Sequence, residues 1–272
     1  MTENDKRLIL LTNDDGIESP GLWAAAEALS HLGFVTVAAP REQSSGAGRS
    51  MPPHSDGKLR EEQVTVRGKT WKVYAVGGTP AQAVQHGILE LMPRKPDLVV
   101  AGINYGENLT ISITVSGTIG AALEGAAFGI PSMAVSLEMP SEFYLSHSRD
   151  INFDCAAHFT QIFAQKLLSG GLPEDVEVLK IDVPSEATEQ TPWRLTRLSR
   201  KPYYLPVRPK RRRMSDPTPV GYEIVMDEET LDEDSDVYAL RVNREISVTP
   251  LSLDMTSRVD LRALEQVLRS SS

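Results

Sequence analysis

The chain alternates short apolar runs with stretches whose apolar residues recur three or four positions apart, and that alternation predicts its elements. Leu8, Ile9, Leu10 and Leu11 form a continuous apolar run, as a strand buried on both faces requires, and the run breaks into Thr12, Asn13, Asp14, Asp15 and Gly16. Leu22, Ala26 and Leu29 follow at helical spacing, the helix ends near Gly33, and Phe34 to Ala39 reads as a second strand. Val64 to Val66 and Trp71 to Val76 flank the turn-prone Arg67, Gly68 and Lys69 and predict a hairpin, with Trp71 and Tyr74 in its core. Val84, Ile88 and Leu91 share a helical face; then come the apolar run Leu98 to Ala101, a Gly/Ala-rich helix from about Thr118 to Phe128, and a strand from Met133 to Leu137 introduced by Pro131. An amphipathic helix over about Asn152 to Leu168 precedes a strand over Val176 to Val183, and Leu261, Leu264 and Leu268 predict a closing helix. Such order predicts an α/β fold, a doubly wound and mostly parallel sheet.

Composition narrows the class. A chain of 272 residues with 40% hydrophobic and 24% charged residues can bury a substantial core, and a net charge of −9 disfavours nonspecific binding to nucleic acid or anionic membranes. The single Cys155 excludes an intramolecular disulfide and a cysteine-rich zinc site, and its place in the periodic stretch Phe153 to Leu168 predicts a core thiol. Met1 to Arg7 is polar and unlike a signal peptide, and no apolar stretch approaches the roughly 20 residues that span a bilayer. A cytoplasmic protein is expected. After Pro184 the composition shifts: residues 201–220 are rich in Pro, Tyr and Arg, and residues 227–236 are mostly acidic. A solvated arm or subunit contact fits this better than a nucleic-acid surface. The expected organisation is a Rossmann-like α/β core over 1–185, an extended arm or oligomerisation region over 186–243, and a strand and helix over 244–272 packing on the core or on a partner subunit.

Four strand-to-helix junctions carry small oxygen-bearing groups: Asn13-Asp14-Asp15-Gly16, the loop Ala39 to Gly48, the segment Gly102 to Asn108, and Ser116-Gly117-Thr118. In a parallel sheet such junctions converge on one edge. Adjacent carboxylates repel, and a divalent ion relieves that repulsion; a set of two aspartates, a serine hydroxyl and an asparagine amide oxygen suits Mg²⁺ or Mn²⁺ better than zinc. Ser116-Gly117-Thr118 at a helix start offers backbone amides and the positive end of a helix dipole to a phosphate. Plainer readings exist for each: Asn-Asp-Asp-Gly as a turn, Ser116 as a helix cap, Asn104 and Asn108 as turn formers, and Gly46-Ala47-Gly48 as a flexible loop. His54, His86 and His158 have no partner at zinc-type spacing, and Tyr105 suits either packing or stacking on a base.

The strings LILLTNDDGIESPGL, AAPREQSSGAGRSM, GTPAQAVQHGI, PDLVVAGINYGENL, SGTIGAALEGAAFGIPSMAVS and VTPLSLDMT strongly resemble the SurE family of metal-dependent 5′-nucleotidases, with further agreement at VLKIDVP. The resemblance implies a Rossmann-like α/β domain with a C-terminal arm exchanged between subunits, in a homodimer or homotetramer. It implies hydrolysis of nucleoside 5′-monophosphates to nucleoside and phosphate, in some members extending to 3′-nucleotides and short polyphosphate, with neither a nucleic-acid polymer nor a membrane as partner. By motif position it implies one divalent cation per subunit (Mg²⁺ or Mn²⁺) on Asp14, Asp15, Ser45 and Asn104, with Ser44 as the close competitor of Ser45. It likewise implies phosphate or substrate contacts from Asn13, Gly46, Asn108, Ser116, Gly117 and Thr118. Of the catalytic pair, Asp15 is expected to orient or deprotonate the attacking water and Asp14 to act mainly as a ligand. The chain departs from the family in two places. It has Gly106-Glu107-Asn108 where members often read Gly-Pro-Asn, and Thr110 to Val115 where many have an acidic pair and a tyrosine. The extra charge of Glu107 motivates an alternative, a non-catalytic nucleotide-binding sensor. Asp14 as a nucleophile forming an aspartyl phosphate is disfavoured because the acids are adjacent, and a dinucleotide oxidoreductase would need a G-x-G-x-x-G turn after the first strand.

Overall fold

The computed structural model describes residues 6–66, 68–144, 148 and 150–270; Met1 to Asp5, and Arg67 in the predicted hairpin turn, lie outside the described residues. In chain order the strands and helices are β1 (Leu8–Thr12), α1 (Pro20–Leu29), β2 (Phe34–Pro40), β3 (Leu59–Val66), β4 (Lys69–Val76), α2 (Pro80–His86), β5 (Leu98–Tyr105), α3 (Gly117–Ala127), β6 (Ser132–Leu137), α4 (Asp154–Leu168), β7 (Val178–Val183), β8 (Trp193–Leu195), β9 (Tyr204–Val207), β10 (Gly221–Ile224), β11 (Ile246–Leu251) and α5 (Leu261–Ser270). Nine strands make one sheet in the order β3-β4-β2-β1-β5-β6-β7-β11-β8. The six central strands from β4 to β7 run parallel, while β3 joins β4 and β11 joins β7 antiparallel, and β8 pairs with β11 in parallel. The strand order reverses at β1, so the loops after β1 and β5 open on the crevice where doubly wound sheets bind ligands.

Alternation along the strands divides the core into two layers. Ile9, Leu11, Val35 and Val37 pack with α1 and α4 on one face, whereas Leu10, Ala38, Val99 and Ala101 pack with α2 and α3 on the other. Both faces are covered, which is why Leu8 to Leu11 of β1 and Leu98 to Ala101 of β5 read as unbroken apolar runs. Cys155 is half-buried against the first layer rather than fully enclosed. The helix that contains Val84 is shorter than the periodicity suggests: α2 ends at His86 and passes into a π-helical turn over Gly87–Leu91.

Two sequence expectations need correction. The strand expected to stop at Ala101 continues to Tyr105 through a register shift between Ala101 and Asn104, so Asn104 stands on β5 itself and not on a following loop. The predicted closing helix forms as α5 but is not buried in the chain's core: none of its residues is buried, and Leu261, Leu264, Val267 and Leu268 are exposed. Beyond the sheet, β9 and β10 form a two-stranded antiparallel hairpin whose outer strand is exposed throughout. Its root is tied to the body by a small cluster of Leu109, Tyr203, Val237 and Leu240.

Candidate metal and phosphate site

The loop after β1 is built around Asn13, whose side-chain amide donates to the Gly16 carbonyl (3.0 Å) while its oxygen accepts from the Gly16 N–H (3.2 Å). That closed turn uses a φ of 97° at Gly16, in the left-handed region that glycine enters without strain. Asn13 is fully buried, and this engagement makes it the frame of the loop rather than an outward-facing group. Asp14 and Asp15 are presented by the turn at the sheet edge, both nearly inaccessible. Burial pushes the Asp14 carboxyl above its ordinary range against the pull of its hydrogen bonds, and burial together with the neighbouring Asp14 charge pushes Asp15 well above it.

Three other segments meet this pair. Thr118 on α3 donates its hydroxyl to Asp14 Oδ1, and the Thr118 hydroxyl oxygen lies 3.3 Å from Asn104 Oδ1. The Asn104 amide nitrogen is turned the other way, donating to the Gly106 carbonyl at 2.7 Å, so its oxygen is the atom facing Thr118. Gly117 permits the approach: a Cβ there would sit 2.7 Å from Asp14 Cβ and 2.8 Å from its Oδ2. The Tyr105 N–H donates to Asp15 Oδ2 (3.2 Å), and Gln43 from the second loop donates to Asp15 Oδ1 (3.3 Å), to Ser45 Oγ (3.1 Å) and to the Tyr144 carbonyl (2.9 Å). The Ser44 hydroxyl points elsewhere, towards the Glu42 carbonyl at 3.4 Å.

The donor chemistry fits a hard divalent cation. Among the described residues no group of three or more histidine, cysteine or carboxylate side chains is placed to hold a metal. A cation at the aspartate pair would therefore complete its shell from Ser45 Oγ, Asn104 Oδ1 and water, the all-oxygen environment that Mg²⁺ and Mn²⁺ take. A separate groove of about 840 Å³ beside α1 is lined by Glu18, Glu27, Glu62, Asp150 and Asp154 and by none of the predicted site residues. Its acidic wall is unsuited to a phosphate.

Comparison with known proteins identifies the family. The family model described as survival protein SurE matches residues 9–204. The chain is 44% identical over 262 residues to the 5′-nucleotidase SurE of Thermococcus gammatolerans, covering 96% of this chain and 95% of the relative. It is 41% identical to the protein of the same name from Methanococcoides burtonii, with 96% and 98% covered. Its structure superposes on the crystal structure of the SurE protein from Aquifex aeolicus with a TM-score of 0.72, at 33% identity, covering 96% of this chain and 99% of that one. The chain belongs to the SurE family.

Within this SurE framework the other positions implied by resemblance divide into two kinds. Gly46 is exposed at φ 75° with open space where a side chain would stand. By contrast, the Ser116 hydroxyl caps α3 by accepting from the Ile119 N–H (3.2 Å), and the Asn108 side chain donates to Ser136 Oγ (2.9 Å). Tyr105 resolves to packing: it is buried against Phe153 with ring centroids 5.0 Å apart and donates its hydroxyl to the Ser148 carbonyl (3.0 Å).

The departure at Glu107 also has a physical account. Its carboxyl is buried and accepts hydrogen bonds from the Tyr203 hydroxyl (3.0 Å) and the Tyr144 hydroxyl (3.2 Å), with Arg241 at 4.0 Å. Burial raises its pKa, while Tyr203 and Arg241 oppose the rise. The charge is thus directed at the root of the arm.

Two features escaped the sequence reading. Gln43 links the second loop to Asp15, and no local pattern marks one glutamine in a polar loop. A fully buried cluster of Lys180, Asp182 and Asp236 supports the third loop: Lys180 Nζ donates to both carboxylates and to the Asn108 carbonyl (2.9 Å), Asp182 accepts from the Asn108 N–H (2.7 Å), and Asp236 accepts from the Thr110 N–H (2.9 Å). Here a signal was present. Lys180 and Asp182 lie two apart in the apolar run VLKIDV, and strand periodicity puts both on one face.

Proposed function

We propose that this chain is a divalent-metal-dependent phosphatase that hydrolyses nucleoside 5′-monophosphates to nucleoside and phosphate, using Mg²⁺ or Mn²⁺ bound once per subunit by Asp14, Asp15, Ser45 and Asn104. The observation that carries the reading is the contact of Thr118 and Gly117 with Asp14, because it sets a helix N-terminus directly against a paired-carboxylate loop. The relatives named 5′-nucleotidase SurE supply the substrate class. The inward turn of Ser44 towards Glu42, and the link from Ser45 through Gln43 to Asp15, favour Ser45 as the ligand.

When bound, the cation supplies positive charge to the phosphate and lowers the pKa of water beside it. The chain's own groups do the rest. The Gly117 and Thr118 N–H groups hold the Asp14 carboxylate in place, and the positive end of the α3 dipole behind them favours the negative charge that builds on the phosphoryl oxygens in the transition state. Asp15 orients a water for in-line attack and takes its proton. The water oxygen bonds to phosphorus as the bond to the 5′ oxygen breaks, and the proton taken by Asp15 passes through solvent water to that oxygen, so the nucleoside leaves neutral and Asp15 is restored. Gly46 leaves room for the substrate, and Asn13, Asn108 and Ser116 hold the loops that face it. A non-catalytic sensor is disfavoured: its motive was the charge of Glu107, and that charge is engaged by Tyr144 and Tyr203.

The arm supports a homo-oligomer. An isolated hairpin has little stability of its own, and exposed Val207, Val220, Tyr222 and Ile224 on the arm, with the leucines of α5, call for a second copy to cover them. Among the described residues no helix is long and apolar enough to cross a membrane, and the single cysteine supports a cytoplasmic setting. The deciding assay is phosphate release from AMP and GMP with Mn²⁺ or Mg²⁺ against a chelator control. Release that persists unchanged in chelator, or none with either ion, overturns the reading.

A further inference from the structure

We propose that Gln43 is a positioning residue of the cation cradle, orienting Ser45 and Asp15 through a single side-chain nitrogen that the backbone of Tyr144 holds in place. The inference rests on the function proposed above, since it concerns the same cation.

Gln43 Nε2 lies 3.1 Å from Ser45 Oγ, 3.3 Å from Asp15 Oδ1 and 2.9 Å from the Tyr144 carbonyl. The Tyr144 carbonyl takes one of the two Nε2 hydrogens and so fixes where the amide points, and the second hydrogen is shared between Ser45 Oγ and Asp15 Oδ1. A serine hydroxyl rotates freely and can offer a cation either a lone pair or its own proton. A donor standing on Oγ removes that freedom: it occupies one lone pair, so the remaining lone pair stays available and the proton is directed away. Ser45 is exposed and lies beside Gly46, whose surroundings are open, so among the described residues little else restrains its side chain. Asp15 is held at its other oxygen by the Tyr105 N–H at 3.2 Å, so the Gln43 contact gives its carboxylate two fixed points. Tyr144 is itself secured, its ring lying over Gly106 and its hydroxyl bonded to Glu107 at 3.2 Å. Gln43 thus stands to the ligands as the outer partner of a metal-binding histidine stands to the imidazole: it touches no metal and sets the geometry of what does.

The test is Mn²⁺ binding by the full chain, measured by calorimetry and by the electron paramagnetic signal of free Mn²⁺, for the wild type and Gln43→Met. Methionine keeps the length and loses the donor. Loss of an outer partner of this kind predicts a weaker Mn²⁺ Kd on the order of tenfold, with kcat recovering towards the wild-type value at saturating Mn²⁺ and the melting temperature in chelator unchanged. Because Gln43 acts partly through Ser45, the losses for Gln43→Met and Ser45→Ala should combine to less than their product. An unchanged or tighter Kd, the latter meaning that the amide competes with the cation, overturns the proposal. So does a weaker Kd that appears only together with a lower melting temperature. If Gln43→Met does not fold, the wild type decides: the Gln43 side-chain ¹⁵N–¹H resonances should remain protected from water exchange as Mg²⁺ is titrated in, and release on Mg²⁺ binding refutes positioning. A wild-type chain that binds neither ion defeats the functional reading itself, an outcome distinct from a wild type that binds Mn²⁺ and a Gln43→Met chain that binds it equally well.

Discussion

Thr118 donates its hydroxyl to Asp14, and the same oxygen stands 3.3 Å from Asn104 Oδ1, so one side chain at the start of α3 joins the ends of β1 and β5. The contact stabilises the charged form of a carboxylate that burial disfavours. Thr118→Val keeps the shape and removes the donor, and a hydrogen bond to a charged group is worth about 1.5–3 kcal/mol. We expect kcat/KM for AMP and the Mn²⁺ affinity each to fall on the order of tenfold or more, with Thr118→Ser retaining most of both. Steady-state kinetics with a Mn²⁺ titration checks this.

Gly117 tolerates no side chain. Alanine would place its Cβ 2.7 Å from Asp14 Cβ, and relief would have to come from the loop that carries both carboxylates. Overpacking of this kind costs about 1–3 kcal/mol in stability. The larger effect should be on turnover, because a misplacement of about 1 Å at a catalytic group can cost on the order of a hundredfold in rate. Gly117→Ala should therefore unfold at a modestly lower temperature and lose most of its phosphatase activity.

Asp15 should show opposite effects on activity and stability. Its carboxyl is buried next to Asp14, and each disfavours the charge of the other. Asp15→Asn removes one of two adjacent buried charges, so in chelator the variant should be more stable than wild type by about 1 kcal/mol, as is common where a site stores strain. Activity should fall by roughly a hundredfold or more, the usual scale for loss of a general base. An Asp15→Asn chain that binds metal normally and keeps nearly full turnover would remove Asp15 from the proposed role.

The layered core was legible because strands covered on both faces are apolar along most of their length, as Leu8 to Leu11 of β1, Leu98 to Ala101 of β5 and Met133 to Val135 of β6 are. The meeting of the aspartate pair with the α3 start was legible for a related reason: junctions that follow parallel strands converge on one edge, and Thr118 reaches Asp14 there. What stayed hidden depends on contacts between residues far apart in the chain. Nothing local to Gln43 announces Asp15, 28 positions away, and nothing local to Glu107 announces Tyr203, 96 positions away. The extension of β5 through Asn104 was hidden as well, because its irregular register replaces the apolar pattern with glycine and asparagine.

The exposed apolar face of α5 gives the proposed oligomer a direct check. Leu264 and Leu268 lie one turn apart on a helix with no buried residue. Replacing both with glutamate adds no strain inside the chain, since neither touches its core. If a second copy covers the helix, burying two charges there should shift the oligomer towards monomer in analytical ultracentrifugation while the circular dichroism of the sheet is unchanged. An unaltered sedimentation coefficient would rule out α5 as the contact.

The buried cluster beneath the third loop predicts a specific dependence of stability on pH. Lys180 shares its ammonium between Asp182 and Asp236, and all three side chains are fully buried. Burial weakens the Lys180 charge, but the two carboxylates more than offset this and hold its pKa above the ordinary value. One ammonium does not neutralise two carboxylates, and the surplus falls on Asp182, whose pKa burial pushes from 3.8 to about 6. A folded-state pKa above the unfolded value means that the native chain binds the extra proton. The resulting stability is therefore complete below about pH 4 and is lost as the pH rises through 6. Groups with lowered pKa, such as Glu138 and Glu186 beside Arg244, act in the opposite sense and are common to wild type and variant. The informative quantity is thus the difference in urea midpoint between wild type and Asp182→Asn. That difference should fall between pH 4 and pH 6.5, by an amount equivalent to on the order of 3 kcal/mol, and be flat above it. Because Asp182 also accepts from the Asn108 N–H at 2.7 Å, the variant should lose phosphatase activity at every pH as the third loop loosens. A difference that rises with pH across this window would assign the surplus charge to another group.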